Sequence, residues 1–303
     1  MSAVTVSVPT AELAASLGPI DGAEVMVWDM VGPAPRPAID LVVPPYLAEG
    51  ATLPLLAGVR TRLIQGQSIG YEDVEGMLPP GVVFANASTV HETSTAELAV
   101  ALILAAQRDL PVFVHAQAEG RWAPTFAASL ADRRVLLLGY GGVGKAIAAR
   151  LQPFEVELTA VASRARDEDG VPVHGVDELT ALLPHTDIVV VSLPGGAETR
   201  HIVDDVFLRA LPDGALVVNV GRGPIIDTDA LMAHAGRIRA ALDVTDPEPL
   251  PPEHPLWSAP GVLIAPHVGG ASTAMTPRLV ALLRRQIAHL IAGEEPENVV
   301  IRT

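Results

Sequence analysis

The sequence predicts an α/β protein of two domains built on parallel sheets, and three observations carry that prediction. Apolar runs of strand length alternate with helical stretches along most of the chain, the pattern of parallel strands joined by covering helices. The run Val135–Leu138 ends in Gly139-Tyr140-Gly141-Gly142-Val143-Gly144 and opens a helix with small residues on one face. The length, 303 residues, is enough for two domains with cores of their own.

In the first third, strands are expected at Ala23–Asp29, Ala38–Pro45, Arg62–Ile69 and Val82–Ala87, with a helix over Leu47–Ala57. Pro33, Pro35 and Pro37 mark a loop, and Pro44-Pro45-Tyr46 ends a strand. Gln67-Ser68-Ile69-Gly70-Tyr71 reads as a flexible corner whose exposed N–H groups could hold a carboxylate. Ser94-Thr95-Ala96-Glu97 reads as a capping box with Ser94 as the cap, starting a helix that runs to Arg108. Leu110–Leu130, with Trp122, Pro124 and Phe126, has no clear period and is expected to pack on a partner subunit. Further strands are expected at Val156–Ala162, Asp187–Leu193, Ala215–Val220, Ile238–Val244 and Val262–Ala265. With Val135–Leu138 they predict a doubly wound sheet of six or seven strands. A last helix over Ser272–Ala292 stops at Gly293, and Pro296 blocks its continuation.

Gly139, Gly141 and Gly144 stand in G-x-G-x-x-G register between a buried strand and a helix, the context a dinucleotide fingerprint requires. The first glycine makes the tight turn, the second lets backbone approach the pyrophosphate, and the third lets helix and strand pack closely. Gly139, Gly141, Gly142, Val143 and Gly144 are therefore expected cofactor contacts.

Composition narrows the class. No apolar run approaches the roughly 18 residues needed to span a bilayer, and no signal peptide is visible at the N-terminus. There is no cysteine, which excludes disulfides, thiolate metal sites and a cysteine nucleophile. The net charge of −15 argues against nucleic acid and anionic membranes as partners. A cytoplasmic enzyme without a metal fits these limits best.

Ligands of doubly wound sheets bind outside the carboxyl ends of the strands. Three polar groups fall at such ends: Arg222 after Leu216–Val220, Glu248 in the proline-rich loop after Ala241–Val244, and His267 after Val262–Pro266. A guanidinium can grip a carboxylate by two bonds, an imidazole can move a proton, and a carboxylate can hold the imidazolium. His174, His185 and His289 have no comparable companions in the sequence, and no G-x-S-x-G elbow or metal-ligand cluster is present.

With these pieces in place the chain resembles the D-isomer-specific 2-hydroxyacid dehydrogenases. The resemblance rests on Gly139–Gly144, Val191-Ser192-Leu193-Pro194 with Thr199-Arg200-His201, Asn219–Gly223, Leu242–Val244 through Glu248–Pro251, and Pro266–Gly269. It implies that Arg222 binds the substrate carboxylate and polarises the keto oxygen, and that His267 is the acid/base, paired with Glu248. Asp243 would meet the nicotinamide carboxamide, and Ile69 and Gly70 would offer backbone amides to the substrate. Pro194, Thr199, Val220, His267 and Gly269 would line the cofactor.

The expected architecture is two Rossmann-like or flavodoxin-like domains with a cleft between them. Residues 93–271, the cofactor domain, are inserted into a discontinuous substrate domain of residues 1–92 and 272–303. The expected reaction is reduction of a small 2-keto acid, of the glyoxylate or hydroxypyruvate kind, to the 2-hydroxy acid. Two other readings remain: a dinucleotide-sensing, corepressor-like binding protein, and a formate- or phosphite-type dehydrogenase. Pocket size is expected to depend on the loops near Tyr46, Tyr71 and Met275. After Val161 the sequence offers Ala162, Ser163, Arg164 and Arg166 where an aspartate would bind the ribose hydroxyls of NAD. NADP is therefore the expected preferred cofactor, with NAD possible. The resemblance also implies a homodimer built on the cofactor domain.

Overall fold

The computed structural model describes residues 3–74, 76–168 and 170–303. They form two compact units: residues 1–91 with 272–303, and residues 92–271.

The first unit begins with β1 (Val4–Val8), α1 (Ala11–Leu17), β2 (Ala23–Val27), β3 (Leu41–Val42), α2 (Glu49–Thr52), β4 (Leu63–Gln65) and β5 (Val83–Ala85). The second contributes α3 (Glu92–Gln107), α4 (Leu110–Ala118), β6 (Arg134–Leu138), α5 (Gly142–Leu151), β7 (Glu157–Ala162), β8 (Arg166–Glu168), β9 (Val171–Gly175) and α6 (Leu179–Leu182). It continues with β10 (Ile188–Val191), α7 (Asp205–Ala210), β11 (Leu216–Asn219), α8 (Thr228–Ala233), β12 (Arg239–Leu242) and β13 (Val262–Ile264). The chain then returns to the first unit as α9 (Met275–Ala292) and β14 (Val299–Arg302).

The first sheet runs β14-β5-β4-β3-β1-β2, parallel except for β14, so its parallel part has the flavodoxin-like order. The second runs β13-β12-β11-β10-β6-β7-β9-β8, with β8 antiparallel at the edge. Its order reverses between β6 and β10, the switch point of the dinucleotide-binding fold. Its central strands are buried on both faces, as parallel strands covered by helices must be. Leu136, Leu138, Val189, Val191 and Val217 face one core, while Val135, Leu137, Ile188, Val190, Leu216 and Val218 face the other. The period of two sets that division, and each fully buried Leu or Val contributes about 1.5–3 kcal/mol before entropy is counted.

Several expectations need correction. Among the described residues the second sheet has eight strands rather than six or seven, because the charged β8 and the β9 run Val171–Gly175, interrupted by Pro172 and His174, add at the edge without a clear apolar signal. The helix expected to be capped at Ser94 starts at Glu92, and Ser94 is buried inside it, so tertiary packing overrides the local capping motif. The helix over Leu47–Ala57 divides into α2 and a 3₁₀ turn, Leu53–Leu56, because Pro54 lacks the N–H that an α-turn needs. Leu110–Ala118 is helical after all: Pro111 sits in its first turn, where no N–H is required, and its apolar residues do not fall on one buried face. α9 ends as expected, with Gly293 left-handed at φ 73° and the Glu294 N–H on the His289 carbonyl at 2.8 Å. Among the described residues no single helix is long and apolar enough to cross a membrane.

Candidate active site

The cofactor side starts where β6 ends. A Cβ on Gly144 would lie 2.1 Å from the Gly139 carbonyl oxygen, so only glycine lets α5 close onto its strand. At Gly141, the N-cap of α5, a Cβ would meet nothing within 4 Å. The fingerprint thus combines a closely packed helix with open space at its N-terminus, which suits a pyrophosphate. Gly142 and Val143 form the first turn of α5. Across the switch point, the Thr199 hydroxyl donates to the Pro194 carbonyl at 2.8 Å, fixing the loop after β10. Val220 follows β11 and is buried.

At the end of β7, Ala162 is buried and Ser163 and Arg164 are exposed. Arg166 donates through Nε to Glu168 at 2.7 Å and reaches the Tyr140 carbonyl of the fingerprint at 3.5 Å. Lys145 of α5 also pairs with Glu168. Lys145 and Arg166 together hold the Glu168 carboxyl below the usual carboxylate range. The sequence analysis anticipated the arginines but not this resident carboxylate. The available signal was the two-residue spacing of Arg166 and Glu168, which puts both on one face of a strand.

The second unit also gathers Arg222, Glu248 and His267. Asn219, almost fully buried at the end of β11, accepts the Gly221 N–H at 3.0 Å and donates to the Arg222 carbonyl at 2.9 Å. Its side-chain amide therefore shapes the turn that carries Arg222, a positioning role the sequence analysis did not assign. Asp243, buried after β12, accepts the N–H groups of Val268 at 2.7 Å and Gly269 at 2.9 Å. The His267 N–H in turn donates to the Asp243 carbonyl at 2.7 Å. Burial pushes the Asp243 carboxyl up, against the two amide bonds and the nearby His267 charge. Asp243 thus holds the loop on which His267 stands with φ 53°.

Glu248 Oε1 is bonded to His267 Nδ1. That bond is the main cause of a raised His267 pKa, burial acting against it. Burial would raise Glu248, but the bond and charge of His267, with Arg222, outweigh it and lower the carboxyl. Arg222 acts electrostatically on both partners, so the three groups form one charged constellation. With Nδ1 engaged, Nε2 is the imidazole nitrogen that can serve a substrate.

In the first unit, the 67–71 corner is pinned rather than flexible. Glu49 takes the N–H groups of Gln67 and Ser68, and Asn86 donates to the Ile69 carbonyl at 2.7 Å. Among the described residues the N–H groups of Ile69 and Gly70 have no hydrogen-bond partner. Tyr46 is half-buried and stacked on His91, with ring centroids 5.7 Å apart. Tyr46 and Met275 line a cavity of about 210 Å3 at the carboxyl ends of β1, β3 and β4, whereas Tyr71 packs against the apolar cluster of Trp28 and Phe84.

The expectation that no other histidine has comparable companions is corrected by His234. Its Nε2 meets Asp205 at 2.9 Å and its Nδ1 accepts from Arg237 Nε at 3.2 Å, while His174 and His289 have local carboxylate partners only. His174 Nδ1 meets Glu178 at 2.8 Å and His289 Nδ1 meets Glu294 at 2.8 Å. Both arise from neighbours within five residues in sequence, and neither pair includes an arginine. Among the described residues no group of three possible metal ligands is gathered.

Residues 100–269 match the family model described as D-isomer specific 2-hydroxyacid dehydrogenase, NAD binding domain. The chain is 31% identical to a glyoxylate reductase of Aeropyrum pernix, over 92% of this chain and 90% of that protein. It is also 31% identical to the glyoxylate reductase/hydroxypyruvate reductase of Mus musculus, over 93% and 92% respectively. Among solved structures it resembles a D-isomer specific 2-hydroxyacid dehydrogenase from Xanthobacter autotrophicus in complex with NADPH and MES. That match has a TM-score of 0.83 and 28% identity, covering 99% of this chain and 98% of the other. An NADPH-dependent glyoxylate/hydroxypyruvate reductase from Sinorhizobium meliloti, in complex with NADP and sulfate, matches with a TM-score of 0.82 at 25% identity, covering 99% and 98%. The chain belongs to the D-isomer specific 2-hydroxyacid dehydrogenase family, NAD(P)-dependent oxidoreductases that act on the CH–OH group of donors.

Proposed function

We propose that the protein reduces glyoxylate, hydroxypyruvate or a similarly small 2-keto acid to the 2-hydroxy acid, with NADPH as the preferred cofactor and as a homodimer. The observation that carries the reading is the constellation of Arg222, Glu248 and His267 in the loops after β11, β12 and β13, strands of the sheet whose β6 presents the fingerprint. The nicotinamide, when bound, supplies the hydride. Arg222 grips the substrate carboxylate and polarises the keto oxygen. His267 delivers a proton from Nε2 to that oxygen, Glu248 holding the charged imidazole in place through Nδ1. Ile69 and Gly70 provide amides for the carboxylate, and Asp243 orients the nicotinamide carboxamide while holding the loop of His267. Pro194, Thr199, Val220 and Gly269 complete the cofactor's surroundings.

NADPH is favoured because no carboxylate stands directly after Val161, at the end of β7, while Ser163 and Arg164 are exposed there and Arg166, shared with Glu168, adds a second guanidinium for a 2′-phosphate. The NADPH and NADP named for two similar structures agree with this choice. The homodimer is supported by Trp122 and Phe126, which lie fully exposed on one chain, and by the exposed Val112 and Val114 of the preceding helix α4.

A panel of glyoxylate, hydroxypyruvate, pyruvate and an aromatic keto acid, assayed with NADPH and with NADH, tests the reading. Turnover highest on glyoxylate and hydroxypyruvate with NADPH is expected. Turnover confined to the aromatic keto acid, or to formate or phosphite oxidation, overturns it.

A further inference from the structure

The segment that leaves the carboxyl end of β4 divides its amides in two. The N–H groups of Gln67 and Ser68 point to a single atom, Glu49 Oε1, at 3.1 Å each, and the Ser68 hydroxyl donates to the same oxygen at 2.9 Å. Glu49 is only 4% exposed. A buried carboxylate is costly unless hydrogen-bonded, and three donors converging on one oxygen meet that cost. Its place is secured by the next residue, whose N–H donates to Asp73 Oδ2 at 3.0 Å.

The carbonyls of the segment are tied on the opposite side. His91 Nε2 meets the Gln67 carbonyl at 2.6 Å, the Ala87 N–H reaches the Ser68 carbonyl at 2.8 Å, and Asn86 Nδ2 donates to the Ile69 carbonyl at 2.7 Å. In a planar trans peptide the N–H points opposite to the C=O. The N–H groups of Ile69 and Gly70 are therefore turned away from Ala87 and Asn86.

We propose that Glu49 is a positioning residue for substrate binding: by taking the N–H groups of Gln67 and Ser68, it fixes the turn that offers those of Ile69 and Gly70 to the 2-keto acid carboxylate. The inference rests on the reading of Ile69 and Gly70 as substrate amides. Glu49 also keeps an incoming anion from the Gln67 and Ser68 amides, so the loop offers its remaining pair alone. Three observations make the site more than a chance contact: burial of the carboxylate, convergence of three donors on one oxygen, and the fixed carbonyls opposite.

The test combines kinetics with amide hydrogen exchange on the full chain. Glu49→Ala should raise KM for glyoxylate about tenfold to a hundredfold, the scale of hydrogen bonds to a charged group. The kcat and the Kd for NADPH should stay near wild type, and exchange at residues 67–68 should quicken. Glu49→Gln, which can place a neutral oxygen at the same point, should recover part of the KM. In the wild type, oxamate, an unreactive 2-keto acid analogue, should slow exchange at Ile69 and Gly70. Absence of that protection overturns the substrate-amide reading and the proposal with it. Protection by oxamate together with an unchanged KM in Glu49→Ala overturns the role of Glu49 alone. Should Glu49→Ala fail to fold, Glu49→Asp, whose carboxylate stops one methylene short, decides in its place, and an unchanged KM there contradicts the proposal.

Discussion

The imidazole of His267 stays charged further up the pH scale than an isolated histidine because Glu248 accepts from its Nδ1. A proton donor for keto reduction is needed in that charged form. With the pKa raised, the donor persists above the usual histidine range, and kcat/KM for reduction falls only as pH rises through the raised value. Glu248→Gln removes the main cause, so the falling limb of the pH profile should move to lower pH; a limb that stays in place would separate Glu248 from the proton donor. His267→Asn should lose about 10²–10⁴-fold in activity while keeping its affinity for NADPH, which fluorescence titration of the cofactor checks. Arg222 stands on a turn shaped by Asn219, and lysine cannot reproduce a two-bond grip on a carboxylate. Arg222→Lys should accordingly lose most of kcat/KM for the keto acid with cofactor binding largely retained, and an unchanged kcat/KM would point to another anion site.

At the scale of elements, the proposed preference for NADPH rests on the corner from β7 to β8. Arg166 and Lys145 share the carboxylate of Glu168, so the local positive charge is partly balanced before any phosphate arrives. Glu168→Gln should raise the preference for NADPH over NADH by about fivefold, the effect of ~1 kcal/mol; a fall in preference would mean that Glu168 serves to hold the cations in place. Arg164→Ala should reduce kcat/KM for NADPH more than for NADH, and a strong preference left untouched would move the contact to Ser163 or Arg166. The same elements explain what the sequence made readable. The strand, glycine corner and helix from Arg134 to Leu151 are local and periodic, and Arg222, Glu248 and His267 could be singled out because each comes after an apolar run of strand length. β8 escaped notice because Arg166-Asp167-Glu168 has no apolar pattern, and α4 because Leu110, Val112 and Val114 are exposed rather than set on a buried face. The role of Glu49 depends on partners 18 and 19 residues away, a pairing that no local motif announces.

For the whole molecule, a net charge of −15 surrounds a chemistry that binds anions, so affinity must come from local cations and oriented amides. On the proposed reading those local sources are Arg222 and the Lys145, Arg164 and Arg166 group. They also include the free amides of Ile69 and Gly70, and the N-terminus of α5. Light scattering at micromolar concentration should report a dimer, and Trp122→Glu with Phe126→Glu should shift it toward monomer; a wild-type monomer would reject the interface. The resemblance read from the motifs agrees with the family found for the chain, while keto acid and cofactor preference depend on side chains whose surroundings only the fold supplies. The most direct measurement is the initial rate of NADPH oxidation with glyoxylate and with hydroxypyruvate, wild type beside His267→Asn. Rapid turnover by the wild type, reduced about 10²–10⁴-fold in the variant, is the predicted result. Tight NADPH binding without turnover on either keto acid would contradict it and leave a dinucleotide-sensing protein in its place.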